Sequence, residues 1–113
     1  MRALEREGIL IRVFIGESDQ LHHQPLATAL IERLRREGFA GATVLHGVAG
    51  FGARSVLHTA SILRLSQDLP VVIEMVESPD RVPALQAILD EMVGDGLVTM
   101  EKVQVLKYSA RTP

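Results

Sequence analysis

Leu69 to Met92 reads LPVVIEMVESPDRVPALQAILDEM, and the change of hydrophobic period inside it decides the fold. Val71, Val72, Ile73, Met75 and Val76 make an apolar, β-branched run of strand type that ends at Glu77. Ser78-Pro79-Asp80 then reads as a helix start. Ser78 carries a capping hydroxyl, Pro79 suits a first helical position because an N–H there has no intrahelical partner, and Asp80 complements the helix dipole. Val82, Leu85, Ile88, Leu89 and Met92 follow at helical spacing as one apolar stripe, which stops near Gly94.

Working outward, the same pattern stands on the N-terminal side. Ile9 to Ile15 is a dense apolar run broken only by Arg12, and the loop Gly16 to Gln24 leads to Pro25, a second helix start. Leu26, Leu30 and Leu34, flanked by Ala27 and Ile31, form the inward stripe of that helix, while Glu32, Arg33, Arg35 and Arg36 face solvent and Glu32 and Arg36 have i,i+4 spacing. Gly38 suits a left-handed cap. Ala42 to Val48 reads as a strand, Gly94-Asp95-Gly96 as a turn, and Leu97 to Tyr108 as a last strand. The order is β-α-β-β-α-β, which predicts an α+β, ferredoxin-like sandwich: a four-stranded antiparallel sheet with two helices on one face. Apolar residues on both faces of the first and third of these strands leave one sheet face to be covered by another subunit. Residues 1–8 and 109–113 are expected to be loose tails around a single domain, 9–108.

The composition is that of one folded domain. The 113 residues are 47% apolar and 23% charged, with a net charge of −2, which argues against a nucleic-acid protein that relies on a broadly basic face. There is no cysteine, hence no disulfide framework, thiol nucleophile or thiolate zinc site. MRALEREG lacks the apolar core of a signal peptide, and no apolar run reaches the ~20 residues that span a bilayer. A soluble, cytoplasmic protein without membrane insertion is the expectation.

The chemistry-bearing stretch lies between the second and third strands. Gly47, Gly50 and Gly52 remove side chains over a short span, so that backbone amides can approach a ligand; the same glycines also suit turn geometry alone. Arg54, Ser55, His58, Thr59, Ser61, Arg64 and Ser66 supply cations and hydroxyls of the kind that hold phosphate or carboxylate oxygens. Val56, Leu57, Ile62, Leu63 and Leu65 could pack this segment onto the body or onto a neighbour.

Gly41-Ala42-Thr43-Val44, Gly50-Phe51-Gly52, His58-Thr59 and Leu65-Ser66-Gln67-Asp68-Leu69-Pro70, in that order, resemble the signature of the family called domain of unknown function 190. The resemblance spans about residues 9 to 108, and that family is regarded as a relative of the PII nitrogen-regulatory proteins. It implies a homotrimer of ferredoxin-like subunits whose free sheet faces turn inward. It also implies a T-loop at about 47–66 that docks on a target protein, and an adenine nucleotide held in clefts between subunits. The ligand-binding residues implied are Gly47, Gly50, Phe51, Gly52, Arg54, Ser55, His58 and Arg64 on the loop, with Gly94, Asp95 and Gly96 on the second turn and Lys107 on the last strand. The phosphate-binding set departs from the PII pattern: Leu97 stands where a lysine is expected, and Val105 and Lys107 where two arginines are. Association of the family with genes for fluoride-exporting channels implies a membrane transporter as a docking target.

No nucleophile–base pair, paired carboxylates or metal set has a sequence signature, so a non-catalytic, signalling role is expected, without a cofactor beyond the nucleotide effector. His22-His23 reads as a solvated loop, because adjacent side chains diverge. His46 reads as a packed or hydrogen-bonded strand histidine, His58 as a better contact residue, and Glu17 as a carboxylate near the base of the sheet. Two rivals stand beside the sensor: a protein-interaction module that needs no ligand, and an acylphosphatase-like hydrolase. The hydrolase needs a phosphate-cradling loop after the first strand and an asparagine, and the chain has no asparagine. An RNA-binding sheet needs aromatic platforms, and Phe14 stands alone in the sheet interior.

Overall fold

The computed structural model describes residues 7–51 and 68–109. β1 (Glu7–Gly16) is followed by a small hairpin, β2 (Gln20–Leu21) and β3 (Gln24–Pro25), and by α1 (Leu26–Arg36). After β4 (Thr43–His46) and β5 (Pro70–Glu77), a 3-10 turn over Pro79–Arg81 leads into α2 (Val82–Met92) and then β6 (Leu97–Gln104). The main sheet has the order β4-β5-β1-β6, and its described pairings are antiparallel. This is the ferredoxin-like arrangement expected from the periodicity.

Strand alternation divides the side chains between two faces. Ile9, Ile11, Val13 and Ile15 of β1 and Val71, Ile73 and Met75 of β5 are buried under the helices. They meet Leu26, Ala29, Leu30 and Leu34 of α1 and Leu85, Ile88, Leu89 and Met92 of α2 in one core cluster. The opposite, helix-free face carries an apolar row that crosses all four strands, Leu45–Val72–Phe14–Leu97, each residue the register partner of the next. Beside it runs a polar row, Thr43–Glu74–Arg12–Thr99. Arg12 donates from Nε to Glu74 at 2.8 Å and from Nη1 to Glu101 at 3.0 Å. Those hydrogen bonds, Glu74's first, raise the Arg12 pKa.

The helix ends differ in chemistry. Arg33, Arg35 and Arg36 fill the last turn of α1, where cations complement the dipole, and Gly38 at φ 79° ends it as the sequence predicts. The i,i+4 ion pair in α1 is Arg33–Glu37, and Arg33 also reaches across to Glu91 of α2 at 2.8 Å.

Several boundaries are corrected. The strand expected over Ala42–Val48 is Thr43–His46, and the last strand ends at Gln104 rather than Tyr108, because Gln104 pairs with Glu7, the first residue of β1. β1 itself begins at Glu7, inside the stretch expected to be a loose tail. The second helix starts at Val82 after the 3-10 turn, and its start is not capped by the Ser78 side chain. Pro25 flanks α1 in an extended conformation instead of opening its first turn. Among the described residues, no helix is long and apolar enough to cross a membrane.

Candidate functional site at the loop end of the sheet

Antiparallel neighbours such as β4 and β5 need only two to five residues between them. Here residues 47–69 make that connection, and its base is fixed on both sides. The Gly47 amide donates to the Pro70 carbonyl at 2.7 Å, which prolongs the β4–β5 ladder by one bond. A Cβ on Gly47 would stand 2.5 Å from the Pro70 ring, so only glycine fits this approach. On the return side, Glu17 donates its amide to the Leu69 carbonyl at 2.8 Å. Ser18 gives both its amide (3.1 Å) and its hydroxyl (2.9 Å) to one carboxylate oxygen of Asp68. Asp19 accepts the Gly16 amide at 2.9 Å, which closes the turn that presents Glu17 and Ser18.

His46 ends β4 exposed, not packed, with Nδ1 3.9 Å from a Glu17 carboxylate oxygen. Of the two expectations for His46, packed or hydrogen-bonded, the packed one is thereby corrected, since its strand forms an edge of the sheet and its side chain is exposed. Glu17 does stand at the base of the sheet as expected, and it faces this histidine. Val48 and Phe51 are exposed apolar residues at the outgoing stem.

The second turn, Gly94-Asp95-Gly96, enters β6 at the same end of the sheet, because Leu97 pairs with Phe14 near the end of β1. A Cβ on Gly96 would meet the Phe14 carbonyl oxygen at 2.8 Å, which explains the glycine there. The two glycine-bearing segments are on opposite edges, however, with β5 and β1 between them. Three inter-strand steps of about 4.8 Å separate them by roughly 14 Å. Within one chain, Gly47, Gly50 and Phe51 share an end of the sheet with Gly94, Asp95 and Gly96 without enclosing a common space. Lys107 lies beyond Gln104, past the far end of β6, and is not brought near either turn. Gly52, Arg54, Ser55, His58 and Arg64 lie outside the described residues.

The described residues at this end include four carboxylates, Glu17, Asp19, Asp68 and Asp95, with His46 beside Glu17. The cations that sequence offers to the site are Arg54 and Arg64. Sequence reasoning missed Ser18 and the clasp it forms with Asp68, 50 positions away, although Asp68 stood within a recognised motif. No local pattern signals a pair so distant in sequence. Among the described residues no group of three metal-ligating side chains gathers.

Residues 8–105 match the family model DUF190, described as an uncharacterized ACR, over a span that includes both turns and the whole connection between β4 and β5. The chain belongs to the DUF190 family. It is 31% identical over 108 residues to a UPF0166 protein of Aquifex aeolicus, covering 94% of this chain and 98% of that one. A UPF0166 protein of Methanocaldococcus jannaschii is 31% identical over 99 residues, 87% of this chain and 91% of the relative. A further UPF0166 protein of A. aeolicus is 33% identical over 97 residues, 86% of this chain and 95% of the relative. As a DUF190 protein, the chain shares with these relatives nearly its full length.

Proposed function

We propose that this DUF190 protein is a non-catalytic, PII-like regulatory protein, cytoplasmic and homotrimeric. It binds a small anionic effector, an adenine nucleotide, and passes that state to a partner protein through residues 47–66. The observation that carries the reading is a long connection between paired strands whose base is pinned by Gly47–Pro70, Glu17–Leu69 and Ser18–Asp68. Loops of this length on a rigid scaffold serve contact and recognition.

The charge distribution supports a coupling. With a base made of carboxylates, an anion is held only when Arg54 and Arg64 come to it, so that effector binding selects among loop conformations. Partner affinity then changes by the effector's differential affinity for those conformations. Gly94 to Gly96 of a neighbouring subunit would form the second wall of the cleft, since the two turns of one chain are held apart. Exposed Val48 and Phe51 at the stem suit a protein target, and a membrane transporter is the partner class we favour.

The test is a thermal-shift titration against adenine and guanine nucleotides, cyclic ones included. A ligand at one hundred times its dissociation constant stabilises by about 2.7 kcal/mol, several degrees for a domain this size. A selective, saturable rise that Arg54→Ala and Arg64→Ala abolish is expected. A flat response from a folded protein would sink the effector reading and leave a docking module without a ligand.

A further inference from the structure

The β4–β5 ladder opens at Thr43, which is paired with Glu74. The same register carried further back would set Ala42 opposite Met75 and Gly41 opposite Val76. The chain leaves β5 there instead, and the Ala40 amide goes to the Glu77 side chain at 2.8 Å. A cavity of about 280 Å³ lies in this region, lined by residues 40–42 together with Thr43, Glu74, Val76, Leu10 and Tyr108. Its size is near the lower end of the roughly 300–1,000 Å³ of small-molecule sites. Alternation puts Leu10, Thr43, Glu74 and Val76 on the helix-free face. The cavity begins at the polar row of that face and extends away from residues 47–69, whereas the apolar row Leu45–Val72–Phe14–Leu97 lies on the loop side of the polar row.

The walls and the charge point to one class of ligand. Leu10, Val76 and the Tyr108 ring are apolar surfaces, and the ring is fixed because its hydroxyl donates to the Ala40 carbonyl at 3.1 Å. Glu74 supplies the charge. Arg12 gives Nε to Glu74 at 2.8 Å and Nη1 to Glu101 at 3.0 Å, so one guanidinium serves two carboxylates and leaves the cluster negative. The bond at Glu74 Oε2 takes one of the roughly four acceptor positions of a carboxylate. Lys107, next to Tyr108 in the chain, does not line the cavity. We propose that this cavity binds a small organic cation, whose ammonium group donates to Glu74 and Thr43 while a compact apolar body packs on Leu10, Val76 and the Tyr108 ring. Such a ligand differs in charge and in place from the nucleotide effector, and the inference does not rest on that reading.

Tyr108 is the sole tyrosine and the chain has no tryptophan, so the intrinsic fluorescence of the full chain reports from the cavity wall itself. The probes are cyclohexylamine and isopentylamine, with cyclohexanol and isopentanol as their uncharged counterparts. A saturable fluorescence change is expected with the amines, at affinities at least about tenfold above those of the alcohols. Glu74→Gln should weaken amine binding at least about tenfold and leave the alcohols as they were. Thr43→Lys, at the exposed register partner of Glu74, sets a lysine ammonium beside the same carboxylate and should exclude the amines to a like degree. Circular dichroism and urea midpoints confirm folding, and either variant decides the matter if the other unfolds. No saturable change with either amine, alcohols that bind as well as amines, or amine affinity unaltered in a folded variant would each overturn the inference.

Discussion

Gly47 and Pro70 meet closely at the loop base: the glycine amide donates to the proline carbonyl at 2.7 Å, and a Cβ on the glycine would stand 2.5 Å from the proline ring. Gly47→Ala forces the two stems apart or strains the first loop residue. Overpacking of this kind costs about 1–3 kcal/mol. Urea unfolding should show the loss, and nucleotide affinity should fall with it if the loop base positions the effector. A variant as stable as wild type would mean that the stem yields without cost.

His22 and His23 both have positive φ, 51° and 68°, as the two central residues of the hairpin between β2 and β3. Two-residue hairpin turns of this hand are built from Asn-Gly or Asp-Gly, because side chains with a Cβ are disfavoured there. The double variant His22→Asn, His23→Gly is expected to stabilise the fold by about 1 kcal/mol, read as a higher urea midpoint at constant slope. An unchanged or lowered midpoint would mean that the histidine side chains make compensating contacts.

That hairpin was not legible in the sequence, and the reason is physical. A His-His pair is not turn chemistry, so Gly16 to Gln24 reads as a plain loop. The sheet and helices were legible because the buried residues of β1, α1, β5 and α2 repeat locally with periods near 2 and 3.6. Strand ends were not, since a strand ends where its partner does. Gln104, the last residue of β6, is the register partner of Glu7, the first described residue, and the β4 ladder closes on Pro70, which has no N–H to give. In the site, the glycine turns were visible as composition, whereas their placement on opposite edges follows from strand order alone.

Glu91 ties α2 to α1 through Arg33, and the hydrogen bonds from that guanidinium hold its carboxyl below the ordinary carboxylate range. A lowered folded-state value means that the contribution is complete above the ordinary range and disappears as pH falls through the lowered one. Glu91→Gln should therefore lower Tm slightly at pH 7, by an amount that shrinks toward pH 3 and in high salt, the pair being solvent-exposed. A gap that persists unchanged at pH 3 would assign the effect to something other than the charge.

Ala40 is held from two directions as the chain passes from α1 to β4. Its amide donates to Glu77 Oε2 at 2.8 Å, and its carbonyl accepts the Tyr108 hydroxyl at 3.1 Å. Glu77 lies on the core face of β5 beside Val71, Ile73 and Met75, 1% exposed, and also accepts the Ser78 amide at 3.2 Å. The two tethers differ in what their loss leaves behind. Tyr108→Phe frees a half-buried carbonyl that water can reach, and should cost about 0.5–1.5 kcal/mol, the net worth of one hydrogen bond. Glu77→Ala leaves backbone donors without their side-chain acceptor in a buried place and opens a gap below them, so its cost should exceed that of Tyr108→Phe by about 1–3 kcal/mol. Because both groups act on the same residue, the double variant should lose less than the sum of the singles. Urea midpoints for the three variants decide it, and strict additivity would mean that Ala40 is fixed by its neighbours in the chain instead of by either tether.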